Sequence, residues 1–207
     1  MRFIRKYFWL IATVALLVVN GSFAGTYTDI TDSMDDTVMA GDTFLVLKSA
    51  YGIRIPYTGT FVTANKSPAP GDIVVFVYPI DPSQTLVKRC VAVAGQTVRI
   101  EAKKLFVDGE PVALPPSAKH ADSDTIPAGP TGSGKRDFLT ERVVPEGSVF
   151  VLGDNRDYSV DSRIWGFLPC ENIRGKAVRI IWSFDPGIPW SSWREKLRRE
   201  RFLTPLD

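Results

Sequence analysis

Leu152-Gly153-Asp154-Asn155-Arg156-Asp157-Tyr158-Ser159-Val160-Asp161-Ser162-Arg163-Ile164-Trp165-Gly166-Phe167-Leu168-Pro169 sets three Asp, two Arg, one Asn and two Ser between apolar flanks. A solvated loop does not need that density of hydrogen-bonding groups beside Trp165 and Phe167. If the segment is buried, each polar group must find a partner. The stretch therefore reads as a brace, hung from the strand Ser148–Leu152. Upstream, Ser33 and Lys88 are the groups it would hold.

Outward from this stretch the chain reads as strands. Alternating or continuous β-branched and aromatic runs predict strands at 43–47, 72–78, 85–94, 97–100, 105–107 and 177–184. Asp108-Gly109 is a hairpin signal, and Ala69-Pro70-Gly71 opens a strand. The fold class expected is mainly β: an antiparallel β body with a smaller inserted flap or subdomain. Pro115-Pro116, Pro127, Gly129-Pro130 and Gly132-Ser133-Gly134 place that insertion at about 108–142.

Before the body lies a segment of another kind. Arg2, Arg5 and Lys6 precede Tyr7 to Thr28, a run without one charge. The strongly apolar part ends near Val19, and Asn20 to Ala24 extend it to a marginal span. One N-terminal transmembrane helix over 7–24 is expected, with residues 1–6 cytoplasmic and the body at 25–187 on the far side. Ser22-Phe23-Ala24 also reads as a small-x-small cleavage site, so removal of the segment stays open. Without Arg2, Arg5 and Lys6 the chain has 22 basic and 23 acidic residues, a balance of −1. That leaves no electrostatic footprint for nucleic acid.

Cys90 and Cys170 stand far apart in no metal-binding spacing. Two isolated buried thiols are favoured, and a disulfide in an exported body is the alternative. His120 is the one histidine and sits in the Pro/Ser/Gly-rich insertion, a poor place for a triad member. Lysine is then the remaining base. Lys88 lies in Leu86-Val87-Lys88-Arg89-Cys90-Val91-Ala92-Val93, where alternation puts Leu86, Lys88, Cys90 and Ala92 on one face. Desolvation there favours the neutral amine that a general base requires. A snorkelling or salt-bridged lysine is the structural alternative. Arg89 points the other way, as a structural or solvent-side charge. Ser33, in Thr31-Asp32-Ser33-Met34, is the nucleophile candidate, although a serine in such a polar run also serves as a turn or cap.

Together these segments resemble the bacterial type I signal peptidases, the S26-like serine peptidases with a Ser/Lys dyad. Ser33-Met34 with Thr37 and Gly41-Asp42 resembles the family's nucleophile box, and Lys48 to Arg54 continues it. Pro70 to Phe76, Lys88-Arg89 with Val91, Ala94-Gly95 and Val98, and Gly153 to Pro169 follow in the family's order. The likeness covers about residues 2 to 184. It implies Ser33 as nucleophile, Lys88 as general base, and Thr31 with the Ser33 N–H as oxyanion donors. It further implies that Ser159 hydrogen-bonds Lys88, that Asp161 and Arg163 pair, and that Met34, Leu86 and Val87 line substrate pockets. No cofactor or metal enters.

The implied activity is removal of N-terminal signal peptides from exported preproteins after Ala-x-Ala-like sites. The implied setting is the inner membrane, with the lipid bilayer and preproteins as partners, no nucleic acid, and a monomer. A dedicated peptidase for a pilin-like substrate and an inactive signal-peptide-binding homologue are the alternatives. Three acids depart from the family pattern: Asp29 at a usually apolar pocket position, Asp32 before the nucleophile, and Asp36 in place of a proline. An anion near Lys88 favours its charged form. The last segment, 188–207, carries Ser192 and Glu195 as a capping box with Lys196, Arg198, Arg199 and Arg201. It reads equally as an interfacial helix or a short solvated one.

Overall fold

Eleven strands form two antiparallel sheets in the computed structural model, which describes residues 7–8, 23–53, 66–126 and 136–206. In chain order they are β1 (Ala24–Thr28), β2 (Asp42–Leu47), β3 (Ile73–Val77), β4 (Thr85–Val93), β5 (Thr97–Glu101) and β6 (Lys104–Val107). They continue as β7 (Glu110–Pro111), β8 (Leu139–Val143), β9 (Ser148–Leu152), β10 (Leu168–Pro169) and β11 (Ile173–Ser183). The larger sheet runs β1-β2-β11-β3-β4-β9-β10, and the smaller runs β7-β6-β5-β8. Two one-turn helices, α1 (Ser162–Trp165) and α2 (Trp193–Lys196), complete the named elements.

The β runs do what their composition predicts. β3 (IVVFV) and β4 lie at the centre of the large sheet, paired through Val74↔Lys88 and Val75↔Val87. Strands covered on both faces read as continuous apolar runs, and all of Ile73–Phe76 is buried. Phe44, Phe76 and Phe150 are the largest fully buried side chains. Each contributes roughly 1.5–3 kcal/mol of burial. Past Cys90 the pairing of β4 with β9 shifts register before Ala92. This bulge breaks the expected alternation: Cys90 packs with Val74 and Phe76, whereas Val91 and Ala92 pack with Val98 and Ile100 of the small sheet. One strand thereby carries Lys88 in the large sheet and seats the small sheet on its far end.

Other expectations need correction. Residue 24, assigned to the anchor, begins β1, an edge strand along β2. Residues 9–22 of the expected anchor lie outside the described residues. Among the described residues no helix is long and apolar enough to cross a membrane. β8, absent from the sequence reading, pairs with β5, and the small sheet draws β5 and β6 from before residue 108. The capping box does not form, since Ser192 makes no side-chain cap to the single turn of α2. Instead the C-terminal segment folds back over β11. Phe184 bridges Leu197, Arg179 bridges Pro205, and Leu206 enters the core beside Met34 and Val38. The Arg201 guanidinium reaches the buried Asp42 carboxylate at 2.6 Å. Cys90 and Cys170 are free thiols, Cys90 buried and Cys170 half-buried.

Candidate active site

Ser33 lies in the turn-rich link from β1 to β2. The turn is tied by Thr37 N–H and Val38 N–H on the Met34 carbonyl, at 3.0 and 2.7 Å. Met34 and Val38 are its fully buried anchors. Asp36 sits there at φ 74, a conformation that the proline ring, with φ near −65°, cannot adopt. Its carboxylate and that of Asp35 both pair with Lys119.

The brace from β9 closes on this turn. Asn155 N–H donates to the Ser33 carbonyl (3.1 Å), and Asn155 Nδ2 donates to the Asp32 carbonyl (3.0 Å). Thr37 Oγ1 donates to Asp154 Oδ2 at 2.6 Å, and Asp154 N–H reaches Met34 Sδ at 3.3 Å. Gly153 leaves room for this approach. A Cβ there would fall 2.2 Å from Ser159 Oγ and 2.5 Å from the Ser33 carbonyl oxygen. The brace is fixed by two buried Arg–carboxylate pairs. Arg89 binds Asp154 at 2.7 Å, so it is a structural charge and not a solvent-side one. Arg163 binds Asp161 through Nε (2.8 Å) and Nη2 (2.7 Å), and Asp161 Oδ2 also accepts from Gly153 N–H (3.0 Å).

Lys88 enters from β4. Its Nζ lies 2.7 Å from Ser33 Oγ and donates also to the Val87 carbonyl at 2.8 Å. The residue is 2 % exposed. Burial pulls its pKa below the ordinary lysine value, while Asp161, Asp29 and Asp154 pull it back up. Thr31 Oγ1 lies 3.1 Å from Ser33 Oγ. The Ser33 N–H has no partner among the described residues, leaving it available to an oxyanion. A cleft of about 640 Å³ opens over the pair, lined by Thr31, Ser33, Leu86, Lys88, Tyr78, Asn155, Tyr158 and Val160.

Several predicted residues take other places. Ser159 Oγ is buried without a hydrogen-bond partner and does not bond Lys88, whose donors go to Ser33 and Val87. Leu86 lines the cleft, but Met34 and Val87 lie in the core with Val38, Phe44 and Val46. Val87 alternates with Lys88, so the strand turns it to the opposite face. The Thr31 hydroxyl is occupied, donating to Asp29 Oδ1 at 2.9 Å. Asp32 is exposed on the wall of the same cleft but is not among the groups acting on Lys88; Asp29 is. His120 lies 3.5 Å from Asp157 Oδ1 and lines a separate cavity with Lys103 and Arg156.

Three contributors escaped sequence reading: Asn155 as the tie to the Ser33 turn, Arg89–Asp154 as its clamp, and Asp29 as partner of Thr31. The density of polar groups in 152–169 was the available signal for the first two. For Asp29 it was a carboxylate where an apolar residue is usual.

The family model described as signal peptidase, peptidase S26 matches residues 2–182. The signal peptidase I of Pseudomonas fluorescens is 34% identical over a 197-residue alignment that covers 79% of this chain and 63% of that protein. That of Pseudomonas aeruginosa is 35% identical over 186 residues, covering 78% of this chain and 62% of that protein. That of Aquifex aeolicus is 30% identical over 220 residues, covering 82% and 80%. The chain thus spans less than two thirds of the length of the two Pseudomonas relatives. With its boxes in order and its Ser33–Lys88 pair in contact, the chain belongs to the signal peptidase, peptidase S26 family.

Proposed function

We propose that this chain is a membrane-associated serine endopeptidase that removes N-terminal signal peptides from exported preproteins after small-x-small sites. The observation that carries the reading is a lysine amine, 2 % exposed, 2.7 Å from a serine hydroxyl at the floor of an open cleft. Relatives named signal peptidase I support the substrate class. Arg2, Arg5 and Lys6 before an uncharged run support an anchor at 7–24 and an extracytoplasmic body at 25–187. An anchored enzyme would meet signal helices by diffusion in the bilayer.

In this reading neutral Lys88 takes the Ser33 proton as Oγ attacks the scissile carbonyl. The Ser33 N–H and the Thr31 hydroxyl receive the oxyanion, and Thr31 must release Asp29 to do so. Lys88 then gives its proton to the leaving amine, and water cleaves the acyl-enzyme with Lys88 again as base. Arg89–Asp154 and Arg163–Asp161 hold the geometry from behind the cleft, and Asn155 holds the Ser33 turn from the cleft wall.

The test is cleavage of an Ala-x-Ala preprotein by the detergent-solubilised chain. Ser33→Ala and Lys88→Ala fall to background, and His120→Ala stays at the wild-type rate. Wild-type cleavage by either dyad variant overturns the reading. Cleavage confined to one substrate in a panel of preproteins would instead mark a dedicated maturation peptidase.

A further inference from the structure

Three acids act on Lys88: Asp161, Asp154 and Asp29. Two of them are already balanced. Asp161 is held by Arg163 and the Gly153 N–H, and Asp154 by Arg89 and Thr37. Asp29 has no cation of its own among the described residues. It is 8 % exposed, its Oδ2 has no partner, and its Oδ1 accepts from both Thr31 N–H and Thr31 Oγ1 at 2.9 Å. A buried carboxylate with one unsatisfied oxygen is costly unless it serves something nearby.

The direction of the hydrogen bonds indicates what it serves. An ionised carboxylate can only accept, so the single Thr31 hydroxyl proton is committed to Asp29. The 3.1 Å contact between Thr31 and Ser33 must then use the Ser33 proton. Ser33 Oγ in turn accepts from Lys88 Nζ at 2.7 Å. With Lys88 charged and Asp29 ionised, every donor in the row Lys88–Ser33–Thr31–Asp29 points toward Asp29, and the Ser33 proton points away from its base.

We propose that Asp29 is a positioning residue for the dyad: its carboxylate fixes the Thr31 hydroxyl beside Ser33 and holds the dyad in its resting, cationic state until the pH rises. The proposal rests on the Ser33–Lys88 reading. Burial raises the Asp29 pKa above the ordinary carboxylate value, against the Thr31 hydrogen bonds and Lys88, which oppose the rise. Asp29 thus exerts two separable effects, one through charge and one through the Oδ1 acceptor.

Two substitutions separate them in full-length, detergent-solubilised enzyme, read as pH profiles of kcat/KM on an Ala-x-Ala preprotein. Asp29→Asn removes the charge and keeps an Oδ1 acceptor. Its rising limb moves to lower pH by about one unit, the low end of the effect of one neighbouring charge, with the plateau within a few-fold of wild type. Asp29→Leu also shifts the limb and in addition loses at least about ten-fold on the plateau, because Thr31 is no longer held. Combining Asp29→Leu with Thr31→Val adds little to Thr31→Val alone, since both act on one hydroxyl. An Asp29→Asn limb at the wild-type pH overturns the charge effect, and a wild-type plateau in Asp29→Leu overturns the positioning effect. Ser33→Ala run beside them separates the two layers: if it retains activity, the dyad itself is wrong; if it is dead and Asp29→Asn is unshifted, only the role of Asp29 fails. A merely structural role lowers thermal stability in Asp29→Asn without moving its limb.

Discussion

Arg89 and Asp154 meet across the seam between β4 and β9, 2.7 Å apart and both withdrawn from solvent. Arg89 is the neighbour of the candidate base, and Asp154 holds Thr37 of the turn that carries Ser33. This ion pair therefore ties the strand of Lys88 to the turn of Ser33, alongside the Asn155 bonds and the Arg163–Asp161 pair. Arg89 Nη1 also donates to the Gly71 carbonyl at 2.9 Å, tying in the turn before β3.

Breaking that pair should cost stability and rate together. Asp154→Asn leaves a buried guanidinium without its counter-charge, a change that costs about 3–5 kcal/mol. Chemical denaturation of the detergent-solubilised protein measures the first effect and preprotein cleavage the second. Asp154→Asn with full stability would mean that solvent reaches Arg89 after all.

Gly153→Ala tests the closeness of the brace. The added methyl would meet Ser159 Oγ at 2.2 Å and the Ser33 carbonyl at 2.5 Å, and the latter is backbone that cannot swing aside. The Asn155 N–H bond to Ser33 should lengthen and cleavage should fall by an order of magnitude or more, in line with the large cost of small misplacements. Wild-type cleavage by Gly153→Ala would show that the nucleophile turn tolerates displacement.

What was legible in the sequence follows from which signals are local. Thr85–Ala94 predicts β4 to within a residue because β-branched and apolar residues flank Lys88 and Arg89 on both sides and Gly95 ends the run. The Asp161–Arg163 pair was legible through the family resemblance of Gly153 to Pro169, and the two meet at 2.7 Å. β8 was not, since only Leu139 of Leu139–Val143 turns inward and Glu141 and Arg142 read as loop. β1 was hidden in the tail of the apolar N-terminal run. The Ser159–Lys88 hydrogen bond that the resemblance implied does not form here, although Ser159 Oγ lies beside Gly153 in the brace, because a likeness of sequence fixes a residue's neighbourhood but not its hydrogen bond. The Ser192–Glu195 box failed because Lys196 turns inward onto the Asp185 carbonyl and ends the helix after one turn.

Lys88 links activity to stability with a definite sign. Burial lowers its folded pKa below the unfolded value of about 10.4. Between those two values the unfolded chain binds more protons, so stability rises with pH across that window, and the penalty is full below it. The limb of kcat/KM should rise within the same window, since only the neutral amine is a base. Lys88→Met should be inactive, and its stability should lack this rise. A wild-type limb at the ordinary lysine pKa, or a Lys88→Met unfolding profile with the same alkaline rise, would show that Lys88 is solvated and carries neither effect.

The insertion should open in acid before the β body does. Arg136 binds Asp137 and Asp122, each at 2.8 Å, and Lys103 binds Asp122 at 2.7 Å and Asp157 at 3.3 Å. Asp157 belongs to the brace, so this cluster joins Lys103, Asp122, Arg136 and Asp137 to the brace of the candidate site. The Lys103 and Arg136 bonds hold Asp122 below the usual carboxylate range. Burial pushes Asp137 and Asp157 up, but Arg136 and the Ile126 N–H more than offset it at Asp137, as do the Asp122 N–H, Lys103 and His120 at Asp157. All three folded pKa values are therefore depressed. Their stabilisation is present above the unfolded value near 3.9 and is lost as pH falls through the folded values. Hydrogen exchange of residues 119–126 should accelerate in that acid window while β3 and β4 stay protected. Asp157→Asn should produce the same local opening at neutral pH, because it leaves the Lys103 contact without a charge. Equal protection of residues 119–126 at pH 7 and pH 3 would mean that packing, not this cluster, holds the insertion to the brace.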